Sequence, residues 1–290
     1  MTYWQAWIAT PGKFELAVLL FSIVAGTFGS ILGLGGGVII VPVLTLLFGV
    51  HIRYAIGASI VSVIATSSGA AATYVKDHVT NIRVAMLLEV ATTLGALFGA
   101  AISSFIPQND LYLLFGLIVL YSAGMMLRKR GAHGAPLAKG DVWAEKLKLN
   151  SSYPDAALHK EVEYAVTGIP LGFSLMLGAG VISGLLGIGS GALKVPAMDS
   201  AMKLPIKVSS ATSNFMIGVT AAASAGAYYM KGDILPFLAA PVALGVLLGS
   251  IFGTRLMMRL PGAQIRKIFI IVLLLIAIEM VGRAFGVSLR

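Results

Sequence analysis

One stretch limits what this chain can fold into: Gly33-Leu34-Gly35-Gly36-Gly37, continued by Val38-Ile39-Ile40-Val41-Pro42, inside an apolar run from 14 to 48. A second copy stands at Gly187-Ile188-Gly189-Ser190-Gly191, continued by Ala192-Leu193-Lys194-Val195-Pro196. A glycine in a helix interior costs about 1 kcal/mol against alanine, so glycine at this density breaks a helix. In lipid, broken backbone persists only where protein or a watery cavity satisfies its polar groups. Matched breaks in two halves of a membrane chain point to a transporter's binding site.

The surrounding sequence makes lipid the solvent. The chain is 58% hydrophobic and 11% charged, against about 25% charged in soluble domains. Apolar runs fall at 14–48, 54–75, 82–106, 111–128, 164–202, 207–230, 234–258 and 265–283. Runs of roughly 20 residues cross a bilayer as helices. They are continuous and lack the alternation of a transmembrane barrel. The expected class is an all-α polytopic protein of the cytoplasmic membrane, in contact with membrane lipids. Lys13 precedes a long apolar run without a small-residue cleavage site, which points to a retained signal anchor. The net charge of +9 lies mainly in loops, where it sets topology, so no nucleic-acid partner is expected. With no Cys, disulfides and thiolate sites are excluded. His51, His78, His133 and His159 lack metal-ligand spacing, so neither metal nor cofactor is expected. His and carboxylates do not cluster at a membrane edge, which argues against an enzyme. No nucleotide loop fits either: the glycine run lacks the P-loop Lys-Ser/Thr, and Val38 stands where G-x-G-x-x-G needs glycine.

The two halves repeat. Pro42 and Pro196 stand 154 residues apart, and the same offset pairs Gly26 with Gly180, Ser59 with Ser213, Tyr74 with Tyr228, Gly99 with Gly253 and Pro107 with Pro261. Arg128, Lys129, Arg130, Lys139, Lys146, Lys148 and Lys160 place the central loop in the cytoplasm. The turn Pro107-Gln108-Asn109-Asp110 has no basic residue and faces outward. Its counterpart, flanked by Arg255, Arg259, Arg266 and Lys267, faces inward. The halves are therefore read as inverted-topology repeats, 1–128 and 164–290, around a cytoplasmic loop at 129–163. Within that loop, Asp141 to Leu147 reads as a short interfacial helix or as plain linker. Inversion requires 164–202 to leave and re-enter one side, with Lys203 and Lys207 marking a cytoplasmic exit. Each repeat then holds a Gly-broken hairpin of two half-helices, followed by three transmembrane helices.

Candidate site residues follow from the breaks. A half-helix starting after Gly37 or Gly191 offers free N–H groups to an anion, and glycine lets a ligand approach the backbone. This nominates Gly35, Gly36, Gly37, Gly189, Ser190 and Gly191; tight helix packing is the plainer alternative. Ser59 and Thr212-Ser213-Asn214 occupy matching positions and offer neutral donors to an oxyanion. Their plainer role is bonding to nearby carbonyls. Lys194 stands where the first copy has Ile40. An ion at membrane depth is a functional hypothesis, with snorkelling to the surface as its alternative. Glu89 is a candidate proton carrier for coupling, or a partner of Arg83 two turns away. The Gly95-x-x-x-Gly99 and Gly249-x-x-x-Gly253 pairs read as close helix contacts.

The glycine-rich stretch from Gly26 to Gly37, with Val41-Pro42 and then Gly57-Ala58-Ser59, resembles the sulfite exporter TauE/SafE family of membrane transporters. The same features return from Gly180 to Pro196 and in Ala211-Thr212-Ser213-Asn214. The resemblance covers both membrane halves and leaves out the central loop. It implies transport of small sulfur-containing or carboxylate anions. Lys194 departs from the apolar or glycine-rich continuation that the resemblance leads one to expect. The expectation is a secondary transporter, with export the favoured direction, for sulfite or organosulfonates, working by alternating access with proton coupling through Glu89 or Lys194. A passive anion channel and a carboxylate carrier are the alternatives.

Overall fold

The computed structural model describes residues 11–128, 141–155, 157–187 and 190–285. The first half forms α1 (Pro11–Leu32), α2 (Gly37–Pro42, continued by a π turn at Val43–Leu47), α3 (Ile52–Lys76), α4 (Ile82–Ile102) and α5 (Gln108–Arg128). An insert follows, holding α6 (Val142–Lys146) and the strands β1 (Ser151–Asp155) and β2 (Lys160–Tyr164), which pair antiparallel. The second half forms α7 (Ile169–Leu186), α8 (Gly191–Pro196, with a π turn at Ala197–Ala201), α9 (Ile206–Met230), α10 (Pro236–Arg259) and α11 (Gly262–Ala284). Most of these bounds recur at the sequence offset: α3 and α9 are both 25 residues long and begin at Ile52 and Ile206.

The breaks have a local cause. Gly33, Gly35 and Gly36 hold φ of 71, 75 and 73°, a left-handed conformation in which an L side chain is strained. Pro42 and Pro196 close α2 and α8, and a π turn follows each, as expected where proline removes an N–H from the ladder. The two arms of each hairpin are unequal. α1 has 22 residues, about 33 Å at 1.5 Å per residue, whereas α2 and its π turn have 6 and 5. The break thus follows a complete helix, and only the returning arm is short.

Each hairpin returns to the end of the molecule where it began. Phe14 and Phe48 stack edge to face at 5.5 Å, and Thr167 N donates to the Met202 carbonyl at 3.1 Å. These two ends are opposite. α9 runs parallel to α4, since Thr212 meets Asn81 and Thr220 meets Thr92, and α4 turns back from α3.

Packing interleaves the halves. Gly245, Gly249 and Gly253 of α10 admit the backbone of Leu19, Ile23 and Thr27 on α1, and Gly69 of α3 meets Ser250. Gly95 and Gly99 of α4 admit Leu177 and Val181 of α7, while Gly180 and Gly184 lie against Thr92 and Ala96. One bundle is therefore α1, α2, α3 and α10; the other is α7, α8, α9 and α4. The third long helix of each half sits in the other half's bundle. α3 and α9 cross between the bundles, and α5 pairs with α11 on the flank.

The polarity is that of a protein in lipid. Met86, Val90, Leu94 and Phe98 form an exposed apolar stripe on α4, and Leu16, Leu20 and Val24 form one on α1. Ser59, Thr66, Lys194, Ser213 and Asn214 are buried. Among the described residues, five helices are long and apolar enough to span a membrane. The chain is an all-α polytopic membrane protein.

Candidate functional site

The two glycine breaks touch. A β-carbon on Gly191 would collide with the Gly33 carbonyl and the Leu34 Cα. The carbonyls at the ends of α1 and α7 need partners inside the protein, and side chains from the crossing helices supply them. Ser213 Oγ donates to the Gly33 carbonyl at 2.7 Å, and Ser59 Oγ donates to the Gly187 carbonyl at 2.8 Å. These two bonds are related by the repeat and join the bundles. Tyr74 OH caps the Ser30 carbonyl at 3.0 Å, and Tyr228 OH lies 2.8 Å from both the Gly184 and Leu185 carbonyls, which share its one proton. Asn214 Nδ2 also donates to the Ser30 carbonyl, at 2.7 Å.

A hydroxyl has one proton. In this conformation Ser59 and Ser213 therefore staple the breaks together and do not offer that proton to a ligand. Thr212 stands apart: its Oγ1 accepts from Asn81 N at 3.1 Å, at the entry of α4. Gly35 lies against Val63 and Ile217, and Gly36 faces Thr66 Oγ1 and Val246. Gly37 is the buried first residue of α2. Gly189 lies outside the described residues.

Other polar atoms at this junction are unspoken for. Ser190 Oγ, Ser209 Oγ, Ser210 Oγ and Asn214 Oδ1 are buried without a partner among the described residues. Ser190 is the N-cap position of α8, and the Ser210 backbone lies against Gly33. Buried polar atoms without partners are uncommon and call for water, an ion or a ligand. Ser190 and Ser210 supply two unused donors at the meeting point of the breaks. α2 and α8 have six residues each, too short for a developed helix dipole, so fixed positive charge comes from a side chain instead.

That side chain is Lys194, which does not snorkel. It is fully buried, and its Nζ lies 3.2 Å from Glu89 Oε2 and 2.7 Å from Thr220 Oγ1. Thr220 donates to Glu89 Oε1 at 2.6 Å, and Thr92 and Thr93 donate to the two carboxylate oxygens at 3.0 Å. The two ionisable residues expected independently from the sequence are thus partners. The Arg83 guanidinium, the alternative partner for Glu89, donates to the Lys148 carbonyl at 2.7 Å. The repeat does not duplicate this cluster, because Ile40 and Ala243 stand at the matching positions. Thr92, Thr93 and Thr220 escaped the sequence reading. The readable signal was a pair of threonines three and four residues after a membrane-embedded glutamate.

The central insert docks at the entry of α4 and α9. Asn81 Nδ2 donates to the Leu149 carbonyl at 2.8 Å and to Tyr164 OH at 2.9 Å. Lys207 Nζ and Asp155 Oδ1 form a buried pair at 2.7 Å. Burial pushes the Asp155 carboxyl up, but Lys207, Tyr153 and the Ala157 N–H together hold it below the usual carboxylate value. Burial and the same carboxylate push the Tyr153 phenol up.

Known proteins resemble this chain over most of its length. The family model for Sulfite exporter TauE/SafE matches residues 18–280. "Probable membrane transporter protein YunE" of Bacillus subtilis (strain 168) is 30% identical over 278 residues, 93% of this chain and 97% of that protein. "Probable membrane transporter protein YdhB" of the same organism is 24% identical over 253 residues, covering 87% of this chain and 94% of that protein. A "Probable membrane transporter protein" of Xylella fastidiosa (strain Temecula1) is 28% identical over 262 residues, covering 88% of this chain and 90% of its own. No solved structure matches.

Proposed function

This chain belongs to the sulfite exporter TauE/SafE family, and on that premise we propose that it carries small sulfur oxyanions, sulfite or an organosulfonate, through a site where its two glycine breaks meet. It is a multi-pass membrane transporter rather than an enzyme. The observation that carries the site is the contact of Gly191 with Gly33, flanked by the unpartnered hydroxyls of Ser190 and Ser210. Neutral donors bind an oxyanion without trapping it, and glycine leaves room for its close approach. Lys194, four residues beyond Ser190 in α8, carries the positive charge of this arm, with its ammonium on Glu89 and Thr220.

Residues 1–128 and 164–290 are inverted-topology repeats in this reading, and 129–163 is the cytoplasmic loop. Hairpins entering from opposite ends of the molecule support the inversion. Alternating access comes from rocking between the interleaved bundles, with exchange of the Ser59–Gly187 and Ser213–Gly33 bonds that join them. The rocking bodies are therefore not the two halves of the sequence. No nucleotide loop is present, so anion and ion gradients supply the energy, and a proton is the favoured coupling ion.

The test is uptake of labelled sulfite into proteoliposomes holding the purified chain. Sulfate, thiosulfate, taurine, sulfoacetate and acetate serve as competitors. Saturable uptake inhibited by sulfoacetate and thiosulfate, and not by acetate, is the expected result. Inhibition by acetate in preference to every sulfur anion would assign the site to carboxylates.

A further inference from the structure

Lys194 and Glu89 set the electrical balance of the carrier. The ammonium is fully buried, and the carboxylate keeps 14% of its surface exposed. Thr220 bridges them, and Thr92 and Thr93 complete the bonds to the carboxylate.

Among the described residues, no other charge is bonded to this pair. α7, packed along α4, carries no ionisable side chain. α9 carries Lys207, which pairs with Asp155, together with Tyr228, bonded to α7 carbonyls, and Tyr229, which is exposed. α5, packed on α8, carries Asp110 and Tyr121, both exposed, and Tyr112, and closes on Arg128. Asp199 in the π turn after α8 is bonded to Arg266 of α11. On α4 itself, Arg83 is bonded to the Lys148 carbonyl. The closed pair therefore has no net charge.

That neutrality restricts what can be added. A monoanion brought to Lys194 while Glu89 is ionised leaves one uncompensated negative charge in a dry site, which is strongly disfavoured. With Glu89 protonated, the loaded site is neutral again. An empty carrier with Glu89 protonated and Lys194 charged carries one unpaired positive charge and is disfavoured for the same reason.

We propose that the anion and Glu89 compete for Lys194, so that one proton and one monoanion cross together and the empty carrier returns only as the closed ion pair. The inference rests on the carrier reading above. A proton from solvent bonds to a Glu89 oxygen and frees the ammonium. The anion then pairs with Lys194 Nζ, and the neutral loaded site reorients. On the far side the anion leaves, Glu89 returns its proton to water, and the pair closes. No bond of the anion changes. With Ile40 and Ala243 at the repeat-related positions, this relay moves one proton per cycle. Acid outside drives entry, and export runs down the anion's own gradient with a proton leaving alongside.

The experiment uses sulfite and the full chain in proteoliposomes, with membrane potential clamped and protein-free flux subtracted. Two fluxes are compared: counterflow exchange at equal pH, and net uptake driven by an acid exterior. The wild type performs both. Glu89→Gln keeps a neutral loaded form but has a charged empty form. The ratio of its pH-driven net uptake to its own counterflow falls at least ~10-fold below that of the wild type, given the penalty on a buried unpaired charge. Glu89→Asp restores net uptake. Undiminished net uptake in Glu89→Gln overturns the proposal, as does loss of its counterflow in folded protein. Should Glu89→Gln not fold, wild-type uptake decides: indifference to the pH gradient in vesicles that perform counterflow overturns the coupling and leaves the carrier. Absence of counterflow for every anion instead removes the carrier reading itself.

Discussion

Ser213 donates its hydroxyl proton to the Gly33 carbonyl at 2.7 Å, and Ser59, its counterpart in the other half, does the same for Gly187 at 2.8 Å. Each bond caps a helix end that lipid could not satisfy, and each crosses between the two bundles. Ser59→Ala or Ser213→Ala leaves a buried carbonyl short of a partner and lowers stability by about 1–3 kcal/mol. The two serines share no partner, so the double variant loses roughly the sum. Thermal unfolding in detergent measures this; a double variant as stable as the wild type would show the bonds to be dispensable.

Gly191→Ala places a methyl group against the Gly33 carbonyl and the Leu34 Cα, both backbone. The breaks must separate, and both folded yield and sulfite flux fall. Gly178 and Gly226 have open space at the same position. Replacing either by alanine keeps flux and raises stability by up to about 1 kcal/mol through helix propensity. Melting temperature and flux, measured on all three variants, check the contrast.

The pair Lys207–Asp155 ties the insert to α9. Asp155 is held below its ordinary value of 3.8 in the folded chain. A depressed carboxyl contributes stability that is complete above the unfolded value and is lost as pH falls through the folded one. Asp155→Asn therefore costs stability at neutral pH, about 3 kcal/mol for one partner of a buried pair. The gap between variant and wild type closes as pH drops below about 4. Limited proteolysis of the 141–164 segment across pH follows it; a gap constant down to strong acid would contradict the assignment.

Thr220 links Lys194 to Glu89. Thr220→Val keeps the shape and removes both bonds, which weakens the closed pair by about 1–3 kcal/mol. Net pH-driven sulfite uptake falls while counterflow is spared. Equal loss of both fluxes would make Thr220 a packing residue only.

Much of this architecture was readable before the fold. The offset of 154 separating Pro42 from Pro196 is also the offset between the starts of α3 and α9, and between the Ser59 and Ser213 staples. Glycine density located the breaks because glycine adopts without strain the φ of 71–75° found at Gly33, Gly35 and Gly36. Pairing was less legible. The partner of Glu89 stands 105 residues away, and helical spacing offers only Arg83, because it sees only one element. The interleaving of α4 and α10 was hidden for a similar reason: a glycine stripe says that a helix packs closely and does not say against which neighbour. The β-hairpin was missed because Ser151–Asp155 and Lys160–Tyr164 are short, polar and interrupted by Pro154. Its docking relies on Asp155 and Tyr164, whose partners Lys207 and Asn81 lie in the membrane halves.

The central claim, a carrier whose site lies where the breaks meet, is tested most directly by sulfite counterflow. Proteoliposomes loaded with unlabelled sulfite should accumulate labelled sulfite transiently above equilibrium. Ser190→Leu, which fills the junction, should abolish this overshoot, while Gly178→Leu on the open face of α7 should preserve it. An overshoot that survives Ser190→Leu in folded protein would move the site away from the breaks, and rapid flux without any overshoot would make the protein a channel.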